Sequence, residues 1–194
     1  MERIILASTS PRRKELLTQI GIPFTVVARP IDETASADRD PEELARELAH
    51  GKVCAVRQEF HSALPWILGA DTLVYDRQGW LGKPETESEA REFMNRLAGR
   101  SHRVVTAVSL MSANGALETR HDTTTVRFAT IQAEEMEWYL ASNEWQGVAG
   151  GYRIQGRAAC FVEELRGSYS TVMGLPIRTV YSMFKHNNYP FTSR

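Results

Sequence analysis

Cysteine is scarce in this sequence. The 194 residues hold two, Cys54 and Cys160, far apart and with no Cys-x-x-Cys between them, so no disulfide framework is expected and both read as reduced core residues. The five histidines are scattered without the spacing of a metal ligand set, which argues against a zinc site. An excess of one charge is missing too: 23 Lys and Arg face 24 Asp and Glu, a net charge of −1. Nothing therefore draws the whole chain toward nucleic acid or an anionic membrane, and no aromatic RNA-binding signature is present. Long apolar runs are absent. The first, Ile4 to Ala7, is too short for a signal peptide, and none approaches a membrane span, so a cytoplasmic protein is expected. There is no internal repeat, no low-complexity tract, no GxxxxGK[ST] phosphate loop and no Gly-x-Ser-x-Gly elbow. Any anion site must be local and built from chosen residues.

What is there is the make-up of an ordinary globular protein, 42% hydrophobic and 24% charged. Its length suits one domain over residues 1–194. Arg3 to Ser8 reads as a buried strand, followed by a helix from about Pro11 to Ile20 that stops at Gly21. Ser10 suits the N-cap, and Pro11 the first helical position, where its missing N–H costs nothing. Phe24 to Ala28 is a second short strand; Asp40-Pro41-Glu42-Glu43 opens a helix with Leu44, Leu48 and Val56 on one face. Trp66 to Ala70 is an apolar strand ending at Asp71 and continued by Leu73 to Tyr75, before a turn at Asp76 to Gly79. Thr86 to Leu97 carries a capping box, Thr86 with Glu89, and Gly99 just past its end. Val104 to Met111 and Thr123 to Phe128 pair around Asn114-Gly115, and Glu134 to Ala141 is helical. A glycine-rich bend over 150–156 precedes a strand near Cys160 to Leu165, and a helix follows Pro176. Alternating helices and strands with one hairpin predict an α/β fold on a mixed central sheet flanked by helices.

Five features could carry chemistry. Ser8-Thr9-Ser10-Pro11-Arg12-Arg13 places two fixed cations at the mouth of a helix that is already electropositive, a phosphate site in the making. Taken alone it is also an ordinary capped helix with two solvated arginines. Asp71 stands after an apolar strand, where a carboxylate can take a proton from water or ligate a divalent ion; a turn aspartate is the plain alternative. Counting by four from Leu44 through Leu48 reaches Lys52 on the inward face of its helix. Such a lysine either points into a polar cleft or snorkels at the core edge. Lys83, in Gly82-Lys83-Pro84, sits on a stiff bend or is simply solvated. Asp32-Glu33 adds two carboxylates that could bind a metal or a sugar hydroxyl, or cap the chain, and Ser168 reads as a turn residue.

In order and spacing, Ala7-Ser8-Thr9-Ser10-Pro11-Arg12-Arg13, Asp32-Glu33, Lys52, Gly69-Ala70-Asp71-Thr72, Gly82-Lys83-Pro84, Ile154-Gln155-Gly156 and Gly174-Leu175-Pro176 resemble the Maf family of nucleoside triphosphate pyrophosphatases over nearly the whole chain. The resemblance implies a house-cleaning hydrolase that cuts between the α and β phosphates, releasing a nucleoside monophosphate and pyrophosphate. It implies an elongated Maf/ITPase-like α/β fold, two lobes with a deep cleft, a divalent cation (Mg²⁺ or Mn²⁺) and often a homodimer. Position by position, Asp71 matches the family's proton acceptor; Arg12, Thr72 and Gln155 match the positions that set substrate choice. Ser8, Ser10, Arg13, Glu33, Lys52 and Lys83 match the surrounding cleft residues, with Glu33 and Asp71 as metal candidates. One branch of the family hydrolyses dTTP and UTP; another, with Trp, Gln and Glu at the choice positions, prefers 7-methyl-GTP. Arg12, Thr72 and Gln155 resemble the first. A carboxamide suits it chemically, since it donates to a pyrimidine carbonyl and accepts from the adjacent N–H. The chain departs from the family pattern at Val148, where a lysine is usual, at Arg153, where a glycine is usual, and at His50-Gly51. A nucleotide-binding regulator of cell division without turnover is the rival; it would need the phosphate grip but not Asp71.

Overall fold

A computed structural model describes residues 1–32, 39–61 and 63–191. Its strands are β1 Ile4–Leu6, β2 Phe24–Val26, β3 Ile67–Asp76, β4 Gly79–Leu81, β5 Ser101–Met111, β6 Leu117–Phe128 and β7 Val162–Arg166. The helices are α1 Pro11–Gln19, α2 Pro41–Arg57, α3 Glu87–Leu97, α4 Ala133–Leu140, α5 Tyr169–Met173 and α6 Ile177–His186. Hydrogen bonding orders the strands β2-β1-β3-β5-β6-β7, with β4 also paired to β3. β1 is parallel to both β2 and β3, whereas β3–β4 and β6–β7 are antiparallel. The expected mixed sheet is there, flanked by helices.

The chain divides into two compact units, one of residues 1–71, 106–122 and 174–194, the other of 72–105 and 123–173. In the first, Ala7, Val53, Val56, Ile67 and Met111 form a buried cluster with Ile5, Val27, Phe60 and Leu117 packed on it. Its C-terminal end is aromatic: Phe184 and Tyr189 stack on each other 4.5 Å apart and both meet Trp66. Helix α2 starts where Asp40 accepts hydrogen bonds from the N–H groups of Glu42 and Glu43 at 2.7 and 3.1 Å, a cap worth about 1 kcal/mol.

The second unit packs α3 against α4 and against a tight turn at Ala149–Gly151. Phe128, Tyr152 and His102 meet edge to face, with ring centres 5.0–5.4 Å apart. Arg96 of α3 reaches Asp76, Nη2 to Oδ1 at 2.6 Å, and the same carboxylate accepts from the Gln78 N–H at the β3–β4 turn.

Several expectations need correction. The two expected pieces are one ten-residue strand, Ile67–Asp76, with Trp66 just before it, so Asp71 lies in mid-strand and not at its end. No residue between them breaks the extended backbone, and a single buried polar side chain does not. The Asp76 to Gly79 turn is present, but it returns into β4, a strand too short to be expected from the sequence. Cys160 is exposed and Cys54 only half-buried, so neither is a core residue, although both are free thiols. In α3 the Thr86 hydroxyl accepts from Glu89 N–H, yet the Glu89 carboxylate answers Glu85 N–H, one residue earlier than a capping box requires. Among the described residues no helix is long and apolar enough to cross a membrane.

Candidate active site

Short β1 runs straight into the loop Ala7–Ser10 and then α1, as the break from apolar to small residues dictates. Pro11 occupies the first helical position and Ser10 the cap position, but the Ser10 side chain makes no capping hydrogen bond and the first turn holds no acid. The positive end of the helix dipole is therefore not neutralised by its own residues. Ser8 turns back into the loop: its Oγ accepts from Ser10 N–H at 3.3 Å and from Arg13 Nη1 at 2.9 Å. Arg13 is 9% exposed and donates from Nε to the Gly174 carbonyl at 2.8 Å. Arg12, its neighbour, is half-buried.

Lys52 and Asp71 meet. Lys52 Nζ lies 2.5 Å from Asp71 Oδ1, the two side chains being 15% and 11% exposed. The fourfold count along α2 is thus borne out, and the lysine finds a carboxylate in place of the core edge. A glycine permits the approach. A Cβ on Gly69 would stand 2.8 Å from Val53 Cγ2 and 2.9 Å from the Ala49 carbonyl oxygen, so α2 rests directly on the backbone of β3 two residues before Asp71. The signal was in the sequence: a glycine inside an apolar strand marks a close backbone approach.

In the second unit, Thr72 is half-buried, the next residue along β3. Lys83 is exposed between two anchored neighbours. The Gly82 carbonyl accepts from Gly150 N–H at 2.9 Å, and Pro84 packs where a Gly151 Cβ would approach its Cγ at 3.4 Å. Gly150 has φ +70°, and a Cβ there would strike Val74 at 2.9 Å, so only glycine fits. Gln155 is exposed, flanked by buried Ile154 and by Gly156, whose missing Cβ leaves room for the Glu144 carboxylate. That carboxylate accepts from Arg157 N–H at 2.8 Å and so pins the Gln155 turn. Arg153 ties the same segment to the Gln146 carbonyl at 3.1 Å, and Val148 is buried where a lysine would have to be desolvated. Glu33 lies outside the described residues.

Burial shifts several groups. It pushes His102 down to about 4, the nearby Asp76 carboxylate opposing only weakly. Burial also drives the Tyr139 and Tyr152 phenols up. Burial works to raise the Asp76 carboxyl, but the Arg96 hydrogen bond and the Gln78 N–H outweigh it, leaving a net fall. His102 Nε2 shares a 2.8 Å hydrogen bond with the Tyr152 hydroxyl. These groups support the second unit's interior, and no motif in the sequence singles them out.

Among the described residues no three His, Cys, Asp or Glu gather into a metal cage. Mg²⁺ does not need one: it is commonly held by one or two carboxylates together with substrate phosphates. Asp71, a near-buried carboxylate whose Oδ1 takes the Lys52 ammonium, belongs to that donor class.

A family model described as Maf-like protein matches residues 3–187. The chain is similar to the dTTP/UTP pyrophosphatase of Symbiobacterium thermophilum, 43% identical over 190 residues that cover 98% of this chain and 96% of that one. It is 44% identical to the dTTP/UTP pyrophosphatase of Halalkalibacterium halodurans over 187 residues, 96% of this chain and 97% of the other. The protein of that name from Syntrophus aciditrophicus is 42% identical over 185 residues, 95% and 89% of the two chains. A solved structure of the Staphylococcus aureus Ham1 protein is a distant likeness, at 15% identity and TM-score 0.46 over 66% of this chain and 72% of that one.

Proposed function

The chain belongs to the family of Maf-like proteins, and from that premise we propose that it is a nucleoside triphosphate pyrophosphatase, hydrolysing dTTP, UTP or base-modified pyrimidine nucleotides to the monophosphate and pyrophosphate. Its relatives named for that activity are 42–44% identical along almost their whole length. The observation that carries the reading is the Lys52–Asp71 pair. A binding protein needs the phosphate grip but no carboxylate poised beside it; a hydrolase needs one to take a proton from water.

In this mechanism the uncapped N-terminus of α1 and Arg12 receive phosphate oxygens, the backbone dipole and the guanidinium adding their charge. Lys52 occupies Asp71 Oδ1 and fixes the plane of the carboxylate, leaving Oδ2 to orient and deprotonate the attacking water. Lys83 is assigned to the phosphates and Gln155 to the base. A divalent ion, Mg²⁺ or Mn²⁺, would be held mainly by the substrate's own phosphate oxygens, with Asp71 as the candidate protein carboxylate, and would supply charge neutralisation on the phosphates. The chain's part is positioning and electrostatic stabilisation, which dominate phosphoryl transfer.

The test is the pair of variants Asp71→Asn and Lys52→Gln, assayed with dTTP. The carboxamide of Asp71→Asn keeps the shape but cannot accept the proton, so kcat falls by about 10²–10⁴ while nucleotide binding persists. Full turnover by Asp71→Asn excludes Asp71 as the base.

A further inference from the structure

Ser8 is a buried hydroxyl with an unusual allotment of hydrogen bonds. It is 7% exposed, and both contacts made by its Oγ are contacts in which it accepts, from Arg13 Nη1 at 2.9 Å and from Ser10 N–H at 3.3 Å. A serine oxygen has two lone pairs and one hydrogen. With both lone pairs engaged, the hydrogen is the only valence left, and no acceptor takes it among the described residues. Arg13 cannot swing away to release the arrangement: its Nε is held 2.8 Å from the carbonyl of Gly174, which has φ +109° in the turn just before α6. The planar guanidinium presents Nε and Nη1 at a fixed angle, so it can hold a carbonyl with one and a hydroxyl with the other, which an ammonium cannot reproduce.

We infer that Arg13 acts as a positioning residue which makes the Ser8 hydroxyl an obligate hydrogen-bond donor to the anion bound at the start of α1. Resting on the reading of this site as a triphosphate site, the inference divides the two adjacent arginines. Arg12 meets phosphate; Arg13 works through Ser8. The two groups that the Ser8 Oγ touches, the Arg13 guanidinium and the Ser10 N–H at the start of α1, are both donors. The partner it awaits is therefore an oxyanion, and a neutral donor such as a ribose amine analogue has no place there.

The experiment is a double-mutant cycle of Ser8→Ala, Arg13→Lys and the double variant. It reads kcat and KM with dTTP and, by calorimetry, the Kd for inorganic tripolyphosphate. Ser8→Ala should lower kcat/KM about 10- to 100-fold through loss of a charge-assisted hydrogen bond. Arg13→Lys should lose nearly as much although it keeps the charge, and the double variant should be no worse than either single one within about threefold. Additive losses, or Arg13→Lys behaving as wild type, overturn the inference and make Arg13 an independent phosphate ligand. Ser8→Ala leaves the Gly174 contact intact but strips an acceptor from the buried Arg13 guanidinium, so its melting temperature should fall by roughly 2–12 °C with the fold retained; that variant carries the test if Arg13→Lys folds poorly. If wild type binds tripolyphosphate but does not hydrolyse dTTP, the proposed reaction fails, while the same coupling in Kd upholds the Ser8 assignment. If wild type binds no polyphosphate, the assignment falls.

Discussion

Replacing Gly69 by alanine adds one carbon at the place where α2 rests on β3. That carbon would lie 2.8 Å from Val53 Cγ2 and 2.9 Å from the Ala49 carbonyl oxygen. Carbon atoms settle at about 3.5–4.0 Å, so the gap must open by roughly 0.7–1.2 Å at the valine. Neither neighbour can fold aside. Val53 is fully buried and β-branched, and the Ala49 oxygen belongs to the helix backbone. The helix itself must therefore move, and it carries Lys52 with it. Overpacking of this kind costs about 1–3 kcal/mol, which for a chain of this size lowers Tm by roughly 2–12 °C. Thermal melts monitored by circular dichroism would measure the first effect. The second is kinetic: kcat with dTTP should fall at least about tenfold, because an Å-scale displacement of Lys52 releases the carboxylate it aims. A Gly69→Ala protein that melts and turns over like wild type would refute both the packing argument and the claim that this approach sets the Lys52–Asp71 contact.

The remaining predictions follow from equally local facts. Gly51 lies within the same helix, but a Cβ there meets only Ile31 Cδ1 at 3.5 Å, so Gly51→Ala should stabilise by about 0.5–1 kcal/mol in urea titration. An unchanged or lower midpoint would count against the assigned helix packing. His102, whose pKa is pushed from the usual 6.5 to about 4 by burial, stays neutral in the folded chain while the unfolded chain protonates. The associated stability is complete above pH 6.5 and is lost as pH falls from there toward 4; the loss approaches about 3 kcal/mol. His102→Gln should flatten that part of the stability–pH curve, and a parallel curve would show that His102 does not titrate this way. Gln155→Glu should shift preference from dTTP toward 7-methyl-GTP at least about tenfold in the ratio of kcat/KM; an unchanged ratio separates Gln155 from base choice.

Much of this was legible in the chain. Pro11 after Ser10, Asp40 before Pro41, and Gly21 and Gly99 past helix ends mark boundaries through local backbone rules that packing seldom overrides, and the helices begin and end there. Helix periodicity put Lys52 on the inward face of α2, with a polar cleft or the core edge both open to it; that its partner is Asp71, 19 residues on, shows only in the fold. What stayed hidden depends on partners distant in sequence. Asp71 read as a strand end, since a single acid in an apolar run looks like a terminus until its neighbours' hydrogen bonds are known. Strand β4 has only Gly79, Trp80 and Leu81, too few to show a period. Cys160 was assigned to the core on residue type alone, and it sits on the exposed side of a short turn that buries Ala158 and Phe161 instead. Arg13 and Arg12 look alike in sequence, and it is the fold, through the Ser8 hydroxyl and the Gly174 carbonyl 161 residues away, that sets Arg13 apart.

The most direct test of the central claim is the identity of the products when the purified protein meets dTTP with Mg²⁺ or Mn²⁺. Ion-exchange chromatography or ³¹P NMR of the reaction should show dTMP and pyrophosphate in equal amounts, with no dTDP at any time, and at least about a hundredfold slower formation of both from Asp71→Asn. Formation of dTDP and orthophosphate would move the cut to the γ-phosphate and contradict the account, as would tight nucleotide binding without any product.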